Sequence, residues 1–135
     1  MNRAKLRECT FIVLFSNDFH EMSEMPKQFD LLIDNLEEFH ADENDKIYIT
    51  NRVADIVKNI NEIDKNINDV SVGWSTKRMS KVDLTILRLA YYEMKLDDDV
   101  PQKVAIDQAV ELAKKYGSDE SPSFVNGILA KLYQN

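Results

Sequence analysis

The sequence predicts an all-α fold of six to seven amphipathic helices, and three observations support this prediction. Apolar residues recur at helical spacing along most of the 135 residues. Only three glycines and three prolines are present, whereas an all-β fold needs many turns. Hydrophobic residues make up 44% of the chain and charged residues 30%, which is the balance of a globular protein with a buried core.

The N-terminal half is predicted to form three helices. The first extends over about Arg3–Phe19 and the second over about residues 26–39. The third begins near Asp42, a favourable N-cap residue, and its asparagines predict a break or a short separate helix within Asn59–Val70. The apolar stripe of the second helix comprises Phe29, Leu32, Ile33, Leu36 and Phe39; that of the third comprises Ile47, Thr50, Val53, Val57 and Ile60, with Ile49 and Ile56 beside it.

Three further helices are predicted after a connection at Ser71–Met79. Ser80 and Asp83 have the spacing of a capping box, in which a hydroxyl and a carboxylate each accept a backbone N–H. Gly117 is predicted to end the next-to-last helix in the left-handed conformation, and Ser121–Pro122 to cap the last helix. We expect one domain, residues 1–135, with an N-terminal bundle of about 1–60 and a C-terminal bundle of about 61–135.

Composition excludes several function classes. The net charge is −7, and no apolar run approaches the roughly 20 residues that span a bilayer. The chain start has no apolar signal core, and a single cysteine, Cys9, favours a reducing cytoplasm. Three scattered glycines exclude a P-loop, and one cysteine with two histidines excludes the usual zinc sites. We expect a cytoplasmic, non-catalytic protein without cofactor or metal, with Cys9 as a buried hydrophobe.

Basic residues are concentrated in two places despite the acidic total. Arg3, Lys5 and Arg7 lie in the first turns of the first helix, where cations oppose the helix dipole. Residues 74–95 contain five basic and two acidic residues. Charge alone leaves two interpretations open: a solvated basic turn, or a phosphate-binding end for single-stranded nucleic acid.

Two other motifs have simpler interpretations. Trp74 is expected to be a core anchor or to fill the junction of the bundles rather than to offer a stacking platform. The run Asp97–Asp99 is expected to favour the dipole of the following helix, since it lacks the glycine and the ligand spacing of a calcium loop.

Four segments have the motifs of one known family. Residues 99–117 read DVPQKVAIDQAVELAKKYG, and residues 121–129 read SPSFVNGIL, with a Phe-Val-Asn-Gly core. Residues 83–93 read DLTILRLAYYE, with Trp74 upstream, and the basic opening Lys5–Glu8 precedes an apolar run that ends at Phe15. These segments resemble, respectively, the signature helix, the hallmark motif, the Ile-Leu-Arg-Leu-Ala helix and the basic opening of the bacterial NusB transcription antitermination factors.

The resemblance implies a fold, a function and a set of sites. It implies two small helical bundles packed perpendicular to each other, and a factor that binds boxA-like single-stranded RNA together with NusE, a small-subunit ribosomal protein, in the RNA polymerase elongation complex. The implied activity supports rRNA transcription. The implied RNA-binding residues are Arg3, Lys5, Arg7, Ser118, Asp119, Glu120, Ser121 and Ser123. Asp83 is the implied contact with NusE.

The Phe-Val-Asn-Gly core is expected to be mainly a structural signature. Phe124 would lie in the core, Asn126 would bond backbone between the bundles, and Gly127 would permit close approach of a helix. Direct contact with RNA is the alternative.

A second function stays open at this point. A protein–protein scaffold or oligomer of the same fold, with weak or no RNA binding, accords with the net charge of −7 and the thin basic run. Phe15 also stands where many members have tyrosine. A hydrolase is disfavoured, because no nucleophile and base form a recognisable pair.

Overall fold

The computed structural model describes residues 1–17 and 39–133, and every regular element in these ranges is helical, which confirms the all-α class. The six α-helices of the described ranges are α1 (Arg3–Asn17), α2 (Glu43–Lys58), α3 (Ile60–Val70), α4 (Lys81–Lys95), α5 (Gln102–Tyr116) and α6 (Ser121–Tyr133), with a 3-10 turn at Thr76–Arg78. The chain divides into two compact units, Met1–Val57 and Lys58–Asn135. The predicted second helix, apart from Phe39, lies outside the described residues.

The boundaries of α2 follow from the residues at its two ends. The Asp45 N–H donates to Asp42 Oδ1 at 2.8 Å, and the Asp42 N–H donates to Asp45 Oδ2 at 3.1 Å. These reciprocal bonds satisfy two backbone donors at the helix start, so the prediction of Asp42 as N-cap is confirmed. The predicted break is confirmed as well, because α2 ends at Lys58 and α3 begins at Ile60.

The first unit buries one side of α1 and one side of α2. Cys9 and Val13 of α1 are fully buried, as the sequence predicted. On α2 the predicted stripe is partly wrong: Ile49, Val53 and Ile56 are the fully buried residues, while Ile47 is 56% exposed. Both stripes have helical spacing and share Val53, so periodicity did not distinguish them.

In the second unit, α4 is the central helix. It packs against α3, α5 and α6, and most of its side chains from Leu84 to Met94 are buried. Arg88 joins α4 to α3 through two hydrogen bonds to the Asp64 carboxylate, of 2.9 Å from Nε and 2.8 Å from a terminal nitrogen. Such a paired, bidentate contact fixes the register of two helices as well as their separation.

The packing of α5 and α6 carries the predicted signature segments. α5 buries a small-residue side that includes Ala105, Ala109 and Ala113, which permits close approach of neighbouring helices. α6 buries Val125 and Leu129, so its opposite side faces solvent. None of the six described helices combines the length and the apolarity needed to cross a lipid bilayer.

Candidate nucleic-acid and partner interface

The basic end of α1 places only two of its three cations at the surface. Arg3 and Lys5 are exposed, whereas Arg7 is 9% exposed and therefore buried. The expectation of three exposed cations is thus wrong for Arg7, because its position also lies on the side that α1 buries. Asn2 is the N-cap residue of α1, because its Oδ1 accepts the Lys5 backbone N–H at 2.8 Å.

The two exposed cations have no acidic residue in their own helical turn. The first turn of α1 contains none, so the helix dipole and the side chains carry the same sign there. The Lys5 Nζ lies 5.4 Å from the centre of the Phe39 ring, a cation–π contact that leaves its hydrogen-bond donors available. The Met1 amine at this end of α1 is paired with Asp45 Oδ1 at 3.6 Å, so Arg3 and Lys5 are the exposed cations there that can attract a phosphate.

The loop between α5 and α6 is shaped by a buried serine. Ser121 is 2% exposed, and its Oγ accepts the Ser118 backbone N–H at 3.0 Å and lies 3.2 Å from Ser118 Oγ. Ser121 was expected to contact RNA, but its side chain is not exposed. Its hydroxyl bonds back into the loop, so Ser121 does not cap α6 as the sequence predicted. The other predicted loop residues are exposed, namely Ser118, Asp119, Glu120 and Ser123.

Gly117 permits this loop conformation by its lack of a side chain. Its φ of −92° and ψ of −171° are extended, so the predicted left-handed conformation is wrong. A Cβ at this position would lie 2.5 Å from both Cβ and Oγ of Ser121 and 2.8 Å from the Ala113 carbonyl oxygen. Glycine is required here because Ser121 approaches the backbone too closely for any side chain.

A surface cavity of about 320 Å³ lies beside this loop, within the second unit. Trp74 is 51% exposed, which contradicts its interpretation as a core anchor. Its ring meets the half-buried Phe124 edge to face at 6.2 Å between centres, and the Arg78 guanidinium lies 5.9 Å from the Trp74 ring. The lining residues are Trp74, Arg78, Met79, Ser80, Asp83, Ser118, Glu120 and Phe124.

The segment that carries Trp74 is held by local hydrogen bonds. Ser71 Oγ donates to the Trp74 carbonyl at 2.6 Å, and the Thr76 N–H donates to Asn68 Oδ1 at 2.7 Å. Gly73 supplies the turn with a φ of 84°, a conformation that side chains disfavour. The ring is therefore presented by a fixed loop, which reduces the entropy lost when a ligand binds.

Asp83 contributes an acceptor that the folded chain leaves unused. Ser80 Oγ accepts the Asp83 N–H at 3.1 Å, but the carboxylate does not accept a bond in return, so only half of the predicted capping box forms. Asp83 Oδ1 is buried and has no hydrogen-bond partner among the described residues. A buried oxygen without a partner is costly, so a donor from a bound molecule would stabilise it.

The signature residues divide between packing and surface. Phe124 forms one wall of the cavity, whereas Asn126 and Gly127 are exposed on α6. A Cβ at Gly127 would meet no atom within 4 Å, so the expectation of close helix approach is wrong for this glycine. Asn126 lines a surface groove between α5 and α6, and its expected bond to backbone between the bundles stays a prediction.

Metal chemistry has no visible basis in the part of the chain that the structure describes. Within residues 1–17 and 39–133, no three histidine, cysteine, aspartate or glutamate side chains are grouped so that they could hold a metal ion.

The fold and this surface define an all-helical binding protein. The model of the NusB family matches residues 4–134. The chain is 50% identical over 131 residues to the transcription antitermination protein NusB of Agathobacter rectalis, covering 97% of this chain and 98% of that protein. It is 47% identical over 132 residues to the protein of the same name from Lachnoclostridium phytofermentans, with 98% of each chain covered.

Solved structures agree with these relatives. T. maritima NusB has a TM-score of 0.82 and 33% identity, with 100% of this chain and 92% of that chain covered. The complex of antitermination factors NusB and NusE with dsRNA contains a chain with a TM-score of 0.79 and 26% identity, with 98% and 96% covered. The chain therefore belongs to the NusB family, which confirms the resemblance in the sequence.

Sequence reasoning missed two features of the site. The exposure of Trp74 had one signal, Gly73, because a glycine is typical of turns and connecting segments lie mostly at the surface. The burial of Arg7 was signalled by its spacing, since it lies three residues before Thr10 and seven before Leu14, which α1 also buries.

Proposed function

We propose that this chain is a transcription antitermination factor that binds boxA-like RNA together with NusE in the RNA polymerase elongation complex and so supports rRNA transcription. Relatives that carry the antitermination name, at 50% and 47% identity over nearly the whole chain, support this proposal. A structural neighbour in complex with NusE and dsRNA supports the pair of partners. Such a factor acts in the bacterial cytoplasm and performs no bond chemistry of its own.

One observation carries the proposal: two kinds of binding chemistry lie in the same cavity. Trp74, Phe124 and Arg78 offer ring faces and a cation, which are the groups that hold unpaired bases. Asp83, on the same cavity, offers an unpartnered carboxylate oxygen that suits a basic group of a partner protein. A surface of this kind can join an RNA strand to a protein.

Phosphate contacts are assigned to the exposed cations of α1. Arg3 and Lys5 would position the strand without reading its bases. The exposed loop residues of the second unit, Ser118, Asp119, Glu120 and Ser123, are the other proposed RNA contacts. Asp119 and Glu120 repel phosphate, so this loop is suited to contact bases or sugars rather than the RNA backbone. Buried Arg7 and Ser121 would support these contacts indirectly.

The test is a titration of labelled boxA RNA over a salt series, with and without NusE. The double variant Arg3→Gln/Lys5→Gln should bind RNA more weakly at low salt, because each lost phosphate contact flattens the dependence of log K on log salt by about 0.7. The loss should be similar for boxA and scrambled RNA. The charge-matched control Lys65→Gln/Lys103→Gln removes two exposed lysines elsewhere and should bind as the parent does. Equal affinity and equal salt slope for the parent and the α1 variant would contradict the α1 site.

A scaffold with little RNA affinity is the second candidate, and the burial of Arg7 favours it. It predicts that the chain co-purifies with NusE without RNA and that no boxA shift occurs at low salt, even with NusE present. A salt-dependent boxA shift in the presence of NusE would exclude it.

A further inference from the structure

Asn126 and Gly127 form the sequence's single Asn-Gly pair. Both residues are exposed, and space for a side chain is open at Gly127. A glycine inside a helix lowers the stability of that helix, so this pair makes α6 easier to open than its length alone would suggest. We propose that Asn126 is a site of spontaneous deamidation that folded α6 keeps latent.

The reaction needs only the chain and water. The backbone nitrogen of Gly127 attacks Cγ of Asn126, forming a five-membered succinimide as the Cγ–Nδ2 bond breaks. Ammonia leaves with the proton from the Gly127 N–H. Water then opens the ring at one of its two carbonyl groups, which gives either aspartate or isoaspartate at position 126. Glycine favours the attack because it has no side chain to obstruct the approach of the nitrogen.

The folded helix prevents this attack. Gly127 lies in the interior of α6 (Ser121–Tyr133), where a helical N–H donates to the carbonyl four residues earlier. In that geometry the nitrogen is held in the hydrogen-bond ladder and away from its own neighbour's side chain. Reaction therefore requires local opening of α6 around the pair.

The residues that flank the pair make this opening costly. Val125 and Leu129 are fully buried and Ile128 is 5% exposed, so opening removes apolar side chains from the core of the second unit. Such opening occurs as a cooperative local unfolding event. The rate of deamidation at Asn126 is then the rate of the unfolded chain multiplied by the fraction of time that α6 is open.

The product would change the unit in two ways. Aspartate at 126 adds a negative charge to a groove of about 580 Å³ between α5 and α6, where Asp107 and Glu111 already lie. Isoaspartate adds a carbon atom to the backbone between Phe124 and Ile128, which prevents the helix from closing in its original register. A transient opening of α6 would therefore leave a permanent change of the backbone next to the Trp74–Phe124 cavity.

Peptide mass spectrometry after timed incubation tests the proposal. The full-length chain is held at mildly alkaline pH, either folded or in guanidinium chloride, and the mass gain of deamidation is followed at each asparagine. We expect Asn126 to react at least about tenfold faster in the denatured chain than in the folded chain. Asn51, which is exposed in α2 and precedes Arg52, is the internal control and should react slowly in both states. Equal rates at Asn126 in the two states would refute the protection, and no reaction at Asn126 in denaturant would refute the site.

Two variants separate the chemistry from the opening of the helix. Gly127→Ala should suppress the reaction in the denatured chain, because the methyl group obstructs the attacking nitrogen. Ile128→Val weakens the buried side of α6 and should accelerate the folded-state reaction about fivefold while leaving the denatured rate unchanged. An unchanged folded-state rate in Ile128→Val would show that opening of α6 does not control the reaction and would overturn the proposal.

Discussion

Gly117→Ala is expected to destabilise the second unit, although alanine adopts the extended conformation of Gly117 freely. The added Cβ would lie 2.5 Å from Cβ and Oγ of Ser121 and 2.8 Å from the carbonyl oxygen of Ala113. Neither obstacle can move easily, because Ser121 is buried and Ala113 belongs to the backbone of α5. The loop before α6 must therefore shift.

The expected cost combines three contributions. Forcing a methyl group into a filled site costs about 1–3 kcal/mol. Displacement of Ser121 also weakens its 3.0 Å hydrogen bond with the Ser118 N–H, which is worth about 1 kcal/mol. The unfolded chain loses freedom with alanine, which offsets about 0.4–1 kcal/mol. We expect a net loss of about 1–3 kcal/mol, or roughly 3–5 °C in Tm for each kcal/mol.

Urea unfolding followed by far-ultraviolet circular dichroism measures this difference. Gly127→Ala is the matched control, because its Cβ enters open space, and the helix should gain about 0.5–1 kcal/mol. The double variant Gly117→Ala/Ser121→Gly removes the two serine atoms that obstruct the methyl group and should be more stable than the two single effects predict. Parent-like stability of Gly117→Ala, or strict additivity in the double variant, would refute the steric reasoning.

Three further predictions concern the cavity and the core. Asp83→Lys should weaken NusE binding, because a lysine would repel the basic partner group that we propose Asp83 binds, and Asp83→Gln should weaken binding less. A pull-down with NusE measures this, and equal binding by the parent and both variants would show that Asp83 does not contact NusE. Trp74→Ala should reduce boxA affinity by about 1–3 kcal/mol per stacked base, while the circular dichroism spectrum stays that of a helical protein. An RNA titration measures the affinity, and an unchanged value would show that Trp74 does not contact RNA. Burial, and secondarily the charge of Glu62, raises the pKa of Tyr91 above its usual 10.0, so the unfolded chain ionises first and the free energy of unfolding falls as the pH rises above 10.0. Tyr91→Phe should reduce this alkaline loss of stability, measured by urea unfolding over a pH series. The same pH dependence in the variant and the parent would contradict the prediction.

The sequence predicted the elements more reliably than the faces on which side chains lie. Helix boundaries depend on local chemistry, such as the paired aspartates at Asp42 and Asp45, and local chemistry is legible in a sequence. The buried side of α2 was harder, because the stripe with Ile47 and the stripe with Ile49 both have helical spacing. Only the neighbouring elements, which periodicity does not describe, select one of them.

Glycines illustrate the same limit in the candidate site. Gly117 was expected to serve a left-handed turn and Gly127 a close helix approach. In the structure, the close approach is found at Gly117 instead, while Gly127 borders open space. The sequence alone does not tell whether a position needs glycine for its backbone conformation or for lack of space around it. The answer depends on residues that come close only when the chain folds.

The burial of Arg7 bears on how the two proposed partners would act together. With Arg3 and Lys5 as the exposed cations of α1, phosphate contacts there contribute at most about 1.4 to the salt slope, at about 0.7 each. A slope of that size corresponds to weak binding by this helix alone. A boxA complex of useful affinity then requires further contacts, from base stacking at Trp74 or from basic surface that NusE brings. Because the Asp83 carboxylate lies on the same cavity as Trp74, a cation docked on Asp83 would also reduce the repulsion that RNA meets from the acidic residues there. We therefore expect NusE to increase the salt slope and the affinity of the parent together, and to do so less in Asp83→Gln.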